Sequence, residues 1–195
     1  MRSLEENKKV VIVGIPGVGK TTLISKIVEI LKEKQKNVSV YSFGTVMLEE
    51  AKNEGIADRD ELRKLSVDRQ KHFQIMAATK IAEKKNDVVI VDNHAFINTS
   101  EGFYPGLPIH VINNLKPTNF ISVSARPEEI YNRRMKDNTR NRDVISLASI
   151  KKELAVQDAM LSSCSVLSGS PMKPVLNREV RIDETAMKVI KAMGI

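Results

Sequence analysis

Apolar residues along this chain fall in short, closed blocks. "VVIV" at 10–13, "VSVYSF" at 38–43, "DVVIVD" at 87–92, "FISVSA" at 120–125 and a weaker "KPVLN" at 173–177 are rich in β-branched side chains. Polar or turn residues bound each block. Apolar runs of this length, without alternation, predict strands buried on both faces. Between the blocks the period changes. Leu23, Ile24, Ile27, Val28 and Leu31 keep the three-and-four spacing that lines one face of a helix over 20–34. A second helix is predicted from Ser66, a good N-cap, to about Lys85.

A third helix opens in "RPEEIYNRRMKD", where Pro127 suits the first turn and Glu128 and Glu129 suit the positive helix end. Two more, over 146–168 and 183–193, are predicted to stop at Gly169 and Gly194. Strand and helix alternate from end to end, which predicts an α/β domain with a parallel sheet covered on both faces. No internal repeat or linker divides residues 1–195, so one domain is expected. The irregular stretches 97–108 and 137–145 are the expected functional loops.

Composition narrows the picture. The 195 residues are 42% hydrophobic and 28% charged, ordinary for a soluble globular chain. The single cysteine, Cys164, excludes an internal disulfide and a cysteine-rich zinc site. The charged N-terminal stretch and the brief apolar run after it predict neither a signal peptide nor a membrane anchor, so a cytoplasmic protein is expected. Net charge is +7 and the pI is near 9.5, which suits an anionic partner. Aromatic residues make up 4% and tryptophan is absent, so no base-stacking platform for single strands is evident.

The anion is indicated by residues 14–21. Gly14-Ile15-Pro16-Gly17-Val18-Gly19-Lys20-Thr21 satisfies G-x-x-x-x-G-K-[ST], immediately after a predicted strand and opening a predicted helix. Glycines let successive backbone N–H groups turn inward around phosphate oxygens. The helix adds its positive N-terminal end. Lys20 would reach the β and γ phosphates, and the Thr21 hydroxyl would ligate Mg²⁺. Asp92 closes "VVIVD", where an acid would hold the magnesium through its waters, and His94 follows as a phosphate contact or an oriented structural imidazole.

Basic residues cluster elsewhere too. "YNRRMKDNTRNRD" carries Arg133, Arg134, Arg140 and Arg142, the last two in asparagine-rich sequence that should break a helix. Such arginines suit a lid that closes over the transferring phosphoryl group, although a solvated helix end is the plain alternative. In "DRDELRKLS", Arg59 and Arg63 are four apart and would share one helix side, either as a clamp for a second phosphate or as a charge-laced surface.

Taken in order, "GIPGVGKTT" at 14–22, "FGTVMLEEAKNEG" at 43–55, "DRDELRKLS" at 58–66, "VDNHAFI" at 91–97, "GFYPGLP" at 102–108, "RRMKDNTRNRD" at 133–143 and "LSGSPMKPVLN" at 167–177 resemble the archaeal-type adenylate kinases over nearly the whole chain. The resemblance implies a three-layer P-loop fold with a five-stranded parallel sheet, and the reaction MgATP + AMP ⇌ 2 ADP. It implies that residues 14–22, including Thr22, hold the ATP phosphates. It also implies that a segment of about 44–75, with Thr45, holds the monophosphate, and that about 137–145 form a short lid. The loop from Gly169 to Lys173 would lie along the ATP adenine, and a homotrimer is the implied assembly.

Two departures stand out against the bacterial and eukaryotic enzymes. Met47-Leu48 is followed by Glu49 rather than arginine, and Asp92-Asn93-His94-Ala95-Phe96 replaces Asp-Gly-Phe-Pro-Arg. Arg59 and Arg63 are the candidates to take over acceptor binding. Competing readings are a kinase for another monophosphate and, from a different class, a nucleotide-gated RNA-binding module. No RNA-binding motif supports the latter, so nucleic acid is not the expected partner. No N-K-x-D guanine motif is present either.

Overall fold

In the computed structural model, which describes residues 7–99, 101–136 and 146–195, the predicted strands assemble into one parallel sheet. Its members are β1 (Lys8–Val13), β2 (Val38–Ser42), β3 (Val88–Asn93), β6 (Asn119–Ser124) and β7 (Met172–Leu176), in the order β2-β3-β1-β6-β7. The central strand β1 pairs Val11 with Val91 of β3 on one side and with Phe120 of β6 on the other. All the C-terminal strand ends therefore face one way, and crevices outside such ends are where ligands bind open α/β sheets.

Both sheet faces are apolar, as the unbroken strand blocks require. Val11, Val13, Val89, Val91 and Phe120 pack under α2 (Phe43–Asn53), α4 (Val67–Ala82), α5 (Ile109–Leu115) and the later part of α7 (Leu147–Ser168). Val10, Ile12, Val88, Ile90, Ile121 and Val123 pack under α1 (Lys20–Glu33), α6 (Pro127–Lys136) and α8 (Ile182–Ala192). Fully burying a side chain such as Phe73 or Ile12 is worth about 1.5–3 kcal/mol. The helix signals also hold. Ser66 caps α4 by accepting from Arg69 N, Ser146 and Ser149 form a reciprocal cap on α7, and Gly169 ends α7 in the left-handed region. A short α3 (Arg59–Lys64) is started by Asp58, whose side chain accepts from the N–H groups of Asp60 and Glu61.

One expectation is corrected. Residues 97–108 were expected to be irregular, yet they hold most of an antiparallel hairpin of β4 (Phe96–Thr99) and β5 (Gly102–Pro105). Phe96 and Phe103 meet edge to face at 4.8 Å between ring centres. Each strand is only four residues long and turn-forming residues surround both, so no period-two pattern had room to show. Among the described residues no helix is long and apolar enough to cross a membrane.

Candidate active site

The turn from Gly14 to Gly19 leaves the end of β1 and enters α1 at Lys20. Gly19 adopts φ 80°, and a Cβ there would sit 2.6 Å from Asn177 Nδ2, so both backbone angle and space demand glycine. No side chain caps α1 and no acidic residue stands in its first turn. Its N-terminal dipole end is left to an anion. Thr21 and Thr22 are exposed on that first turn.

Lys20 folds across to the neighbouring strand. Its ammonium forms an ion pair with Asp92 and donates to the Asn93 carbonyl at 2.7 Å. Burial pushes the Lys20 pKa down, while the Asp92 carboxylate pulls it back up. Asn93 in turn donates to the Gly106 carbonyl at 3.1 Å, and His94 Nδ1 lies 3.2 Å from the Gly14 carbonyl. Lys20 and Asp92 are thus brought together where β1 and β3 end, with Thr21 next to Lys20 on the first turn of α1.

One strand further out, Ser42 stands in register with Asp92. Thr45, in the first turn of α2, donates to Ser42 Oγ at 3.1 Å and accepts from Arg59 Nη2 at 3.1 Å. Arg63 takes a different partner, Asp60 of its own helix, at 3.3 Å. The two arginines of α3 therefore do not share one task in this conformation. Arg59 joins Thr45 at the strand-end face, whereas Arg63 is an exposed helix-surface pair.

Sequence reasoning missed the support behind the phosphate turn. Arg134, only 7% exposed, donates from Nε to the Pro16 carbonyl at 2.8 Å and forks onto Glu153 of α7, at 2.6 Å for the shorter contact. Arg133 Nη1 donates to the Gly17 carbonyl at 3.0 Å. Asn177, buried just beyond β7, donates from Nδ2 to the Val18 carbonyl at 2.9 Å and the Gly19 carbonyl at 3.4 Å. For Asn177 the sequence signal was its place at the end of the block "KPVLN", which puts it at a strand end without naming a partner.

Gly169 is not brought to this site, which corrects its expected place along the adenine. It precedes β7, and the adjoining Ser170 donates to the Pro117 carbonyl while Phe120 N donates to the Pro171 carbonyl, at the sheet end where β6 begins. In a parallel sheet that is the end opposite the phosphate turn. Asn177, not Gly169, is the residue of this strand connection that reaches Gly19. The expected lid arginines Arg140 and Arg142, with the segment 137–145, lie outside the described residues.

Comparison with known proteins gives the family and agrees with the fold. A family model described as an AAA domain matches residues 13–151. The adenylate kinase of Methanocaldococcus jannaschii is 40% identical over 190 residues, covering 96% of this chain and 99% of that protein. The adenylate kinase of Thermoplasma acidophilum is 37% identical over 186 residues, covering 95% and 98%. Among solved structures, a shikimate kinase from Acinetobacter baumannii in complex with shikimate is similar in fold, with a TM-score of 0.57 at 13% identity over 96% of this chain and 93% of that one. With a phosphate turn backed by a strand-end lysine–carboxylate pair, and with relatives matched over nearly their whole length, the chain belongs to the adenylate kinase family.

Proposed function

We propose that this protein catalyses reversible phosphoryl transfer, MgATP + AMP ⇌ 2 ADP, and so balances adenine nucleotides. The observation that carries the reading is the placement of Lys20 and Thr45 on one strand-end face. Lys20 lies against Asp92, and Thr45 begins one strand away through the Ser42–Asp92 register. In this reading the donor-phosphate cradle and the acceptor site lie at neighbouring strand ends, which suits in-line transfer between two nucleotides.

In this reading residues 14–22 bind the ATP phosphates, and Thr45 and Arg59 bind the AMP phosphate with Arg63 reinforcing the field. Arg140 and Arg142 supply the closing positive charge. No general base is needed, because the acceptor is an ionised phosphate oxygen. Lys20 would turn from Asp92 to the β and γ oxygens as the anion arrives, since a polyphosphate brings more negative charge and more charge-assisted acceptors than one carboxylate.

Thr21 and Asp92 fit a nucleotide-borne Mg²⁺. The former offers an exposed hydroxyl, the latter a carboxylate at the same strand end, and among the described residues no cluster of three or more acidic, histidine or cysteine side chains forms an all-protein cage. When bound, Mg²⁺ would neutralise negative charge on the donor phosphates. The buried thiol of Cys164 supports a reducing, cytoplasmic setting. The exposed aliphatic pair Val166 and Leu167 on α7, 82% and 62% accessible, supports contact between copies, for which a homotrimer is our reading.

The test is ³¹P NMR of purified protein with MgATP and, separately, AMP, GMP, CMP, UMP and dTMP. Selective, Mg²⁺-dependent conversion of AMP to ADP is expected. Turnover of a different monophosphate would keep the mechanism and replace the acceptor; no transfer to any would remove the kinase reading.

A further inference from the structure

The phosphate turn is held from behind at four consecutive peptide units. The carbonyls of Pro16, Gly17, Val18 and Gly19 each accept from a side chain: Arg134 Nε, Arg133 Nη1 and, for the last two, the single Asn177 amide. A carbonyl and the following N–H lie on opposite edges of one trans peptide plane, and the described chain contains no cis bond. Fixing the carbonyl of Pro16 therefore aims the N–H of Gly17 the other way. The same holds for Val18 with Gly19 N–H and for Gly19 with Lys20 N–H. Val18 N–H is spent within the turn, on the Ile15 carbonyl at 3.3 Å.

We propose that Arg134 and Asn177 are positioning residues that preset the inward N–H groups of the phosphate cradle, so that affinity for the polyphosphate of the donor is set from outside the nucleotide site. The inference rests on the donor-binding role given to residues 14–22 above. Three features make the pair suited to it. Both side chains are buried, at 7% and 3% exposure, so neither is a free surface group. Both come from elements distant in sequence, Arg134 on α6 and Asn177 after β7, so the turn is braced from two directions. Arg134 is itself fixed by its fork onto Glu153 of α7.

The donors also act electrically. A guanidinium or amide N–H on a carbonyl polarises the whole peptide unit and strengthens its opposite N–H as an anion donor. The Asn177 orientation follows from its partners, because only its NH₂ end can meet two carbonyls. Its contact with Gly19 is tight enough that a Cβ would collide with it, so the glycine and the asparagine are matched. Neither residue needs to touch the nucleotide, and the effect should be blind to the base.

Two substitutions test this in the full chain. Asn177→Leu keeps the branching at Cγ and removes the donor; Arg134→Lys keeps a charge for Glu153 but cannot serve Glu153 through two nitrogens and Pro16 at once. Isothermal titration would use inorganic tripolyphosphate, MgATP and AMP as separate probes, with KM for ATP and for AMP measured alongside. The expected result is a dissociation constant raised by on the order of tenfold, and by the same factor for tripolyphosphate and MgATP. AMP affinity and KM for AMP should be unchanged.

Unaltered tripolyphosphate binding in both variants would overturn the proposal. So would a loss confined to MgATP, which would make these groups contacts of the base or ribose. An equal loss for AMP would also overturn it, by reducing the effect to general loosening. Tripolyphosphate binding needs no acceptor, so a wild-type protein that binds it yet fails to convert AMP would sink the kinase assignment and leave this inference standing.

Discussion

The Lys20 ammonium rests against the Asp92 carboxylate and 2.7 Å from the Asn93 carbonyl, held at the end of the neighbouring strand rather than extended into solvent. The cation proposed to bind phosphate is therefore stored, largely buried, beside the residue proposed to steady the metal. Replacing it should disable chemistry far more than folding.

Lys20→Met should lower kcat by about 10²–10⁴-fold or more, the scale of losing a preorganised charge at a developing anion. AMP affinity should be preserved, because Thr45 and Arg59 lie one strand away. Steady-state kinetics with AMP titration would check both, and a nearly active variant would refute the assigned role.

Thr45 and Arg59 form one unit at 3.1 Å, while Arg63 is 65% exposed in its side chain and paired with Asp60. Arg59→Ala should raise KM for AMP by at least tenfold, the usual scale for one charge-assisted phosphate contact. Arg63→Ala should raise it by roughly threefold or less, as befits a screened surface charge. The reverse ranking in an AMP titration would transfer the acceptor role to Arg63.

Gly106 carries the approach of the hairpin to the strand-end residues. A Cβ there would lie 2.1 Å from the His94 carbonyl oxygen, a backbone atom that cannot swing aside. Gly106→Ala should cost roughly 1–3 kcal/mol or more of stability through overpacking. It should also lower kcat, since the shifted backbone joins Asn93, the Lys20 partner, to His94. Urea unfolding and initial rates on the same preparation would measure both.

Glu54, at the C-terminal end of α2, accepts from His72 at 3.1 Å and from Arg69 at 2.9 Å, tying α2 to α4. The His72 hydrogen bond and then the Arg69 contacts hold its pKa below the ordinary 4.5. A carboxylate with a depressed folded pKa contributes stability above its unfolded pKa and loses it as pH falls through the folded value. Glu54→Gln should thus lower Tm near neutrality, with the difference from wild type shrinking as pH drops below 4.5. Thermal melts of both proteins between pH 7 and about 3 would show it.

Cys164 lies in the core beneath α5, with Sγ 3.6 Å from the Leu107 carbonyl, and burial pushes its pKa up. A thiol reagent such as DTNB should label it only as the chain unfolds, so labelling rate should track urea concentration.

The chain's own pattern determined a great deal here. Apolar blocks such as "VVIV" and "DVVIVD" can be satisfied only by burial on both faces, which leaves a helix-covered parallel sheet as the outcome. Although its bracing comes from elsewhere, the makeup of the phosphate turn is local too, because three glycines, a lysine and the following helix are adjacent in sequence. The same is true of the caps at Ser66, Ser146 and Gly169, whose chemistry acts within a few residues.

What only the tertiary structure decided involves residues far apart in the chain. Arg134 and Asn177 are separated from the carbonyls they grip by more than a hundred residues, and nothing in their neighbours names that target. Arg59 and Arg63 share a helical spacing, but the position of α3 against α2 gives Thr45 to one and leaves Asp60 to the other. Gly169 adjoins its strand in sequence, yet the parallel direction of β7 puts it at the wrong end and Asn177 at the right one. Sequence periodicity fixes which face a residue shows. Strand direction and order fix which end of the sheet it reaches, and those depend on packing of the whole chain.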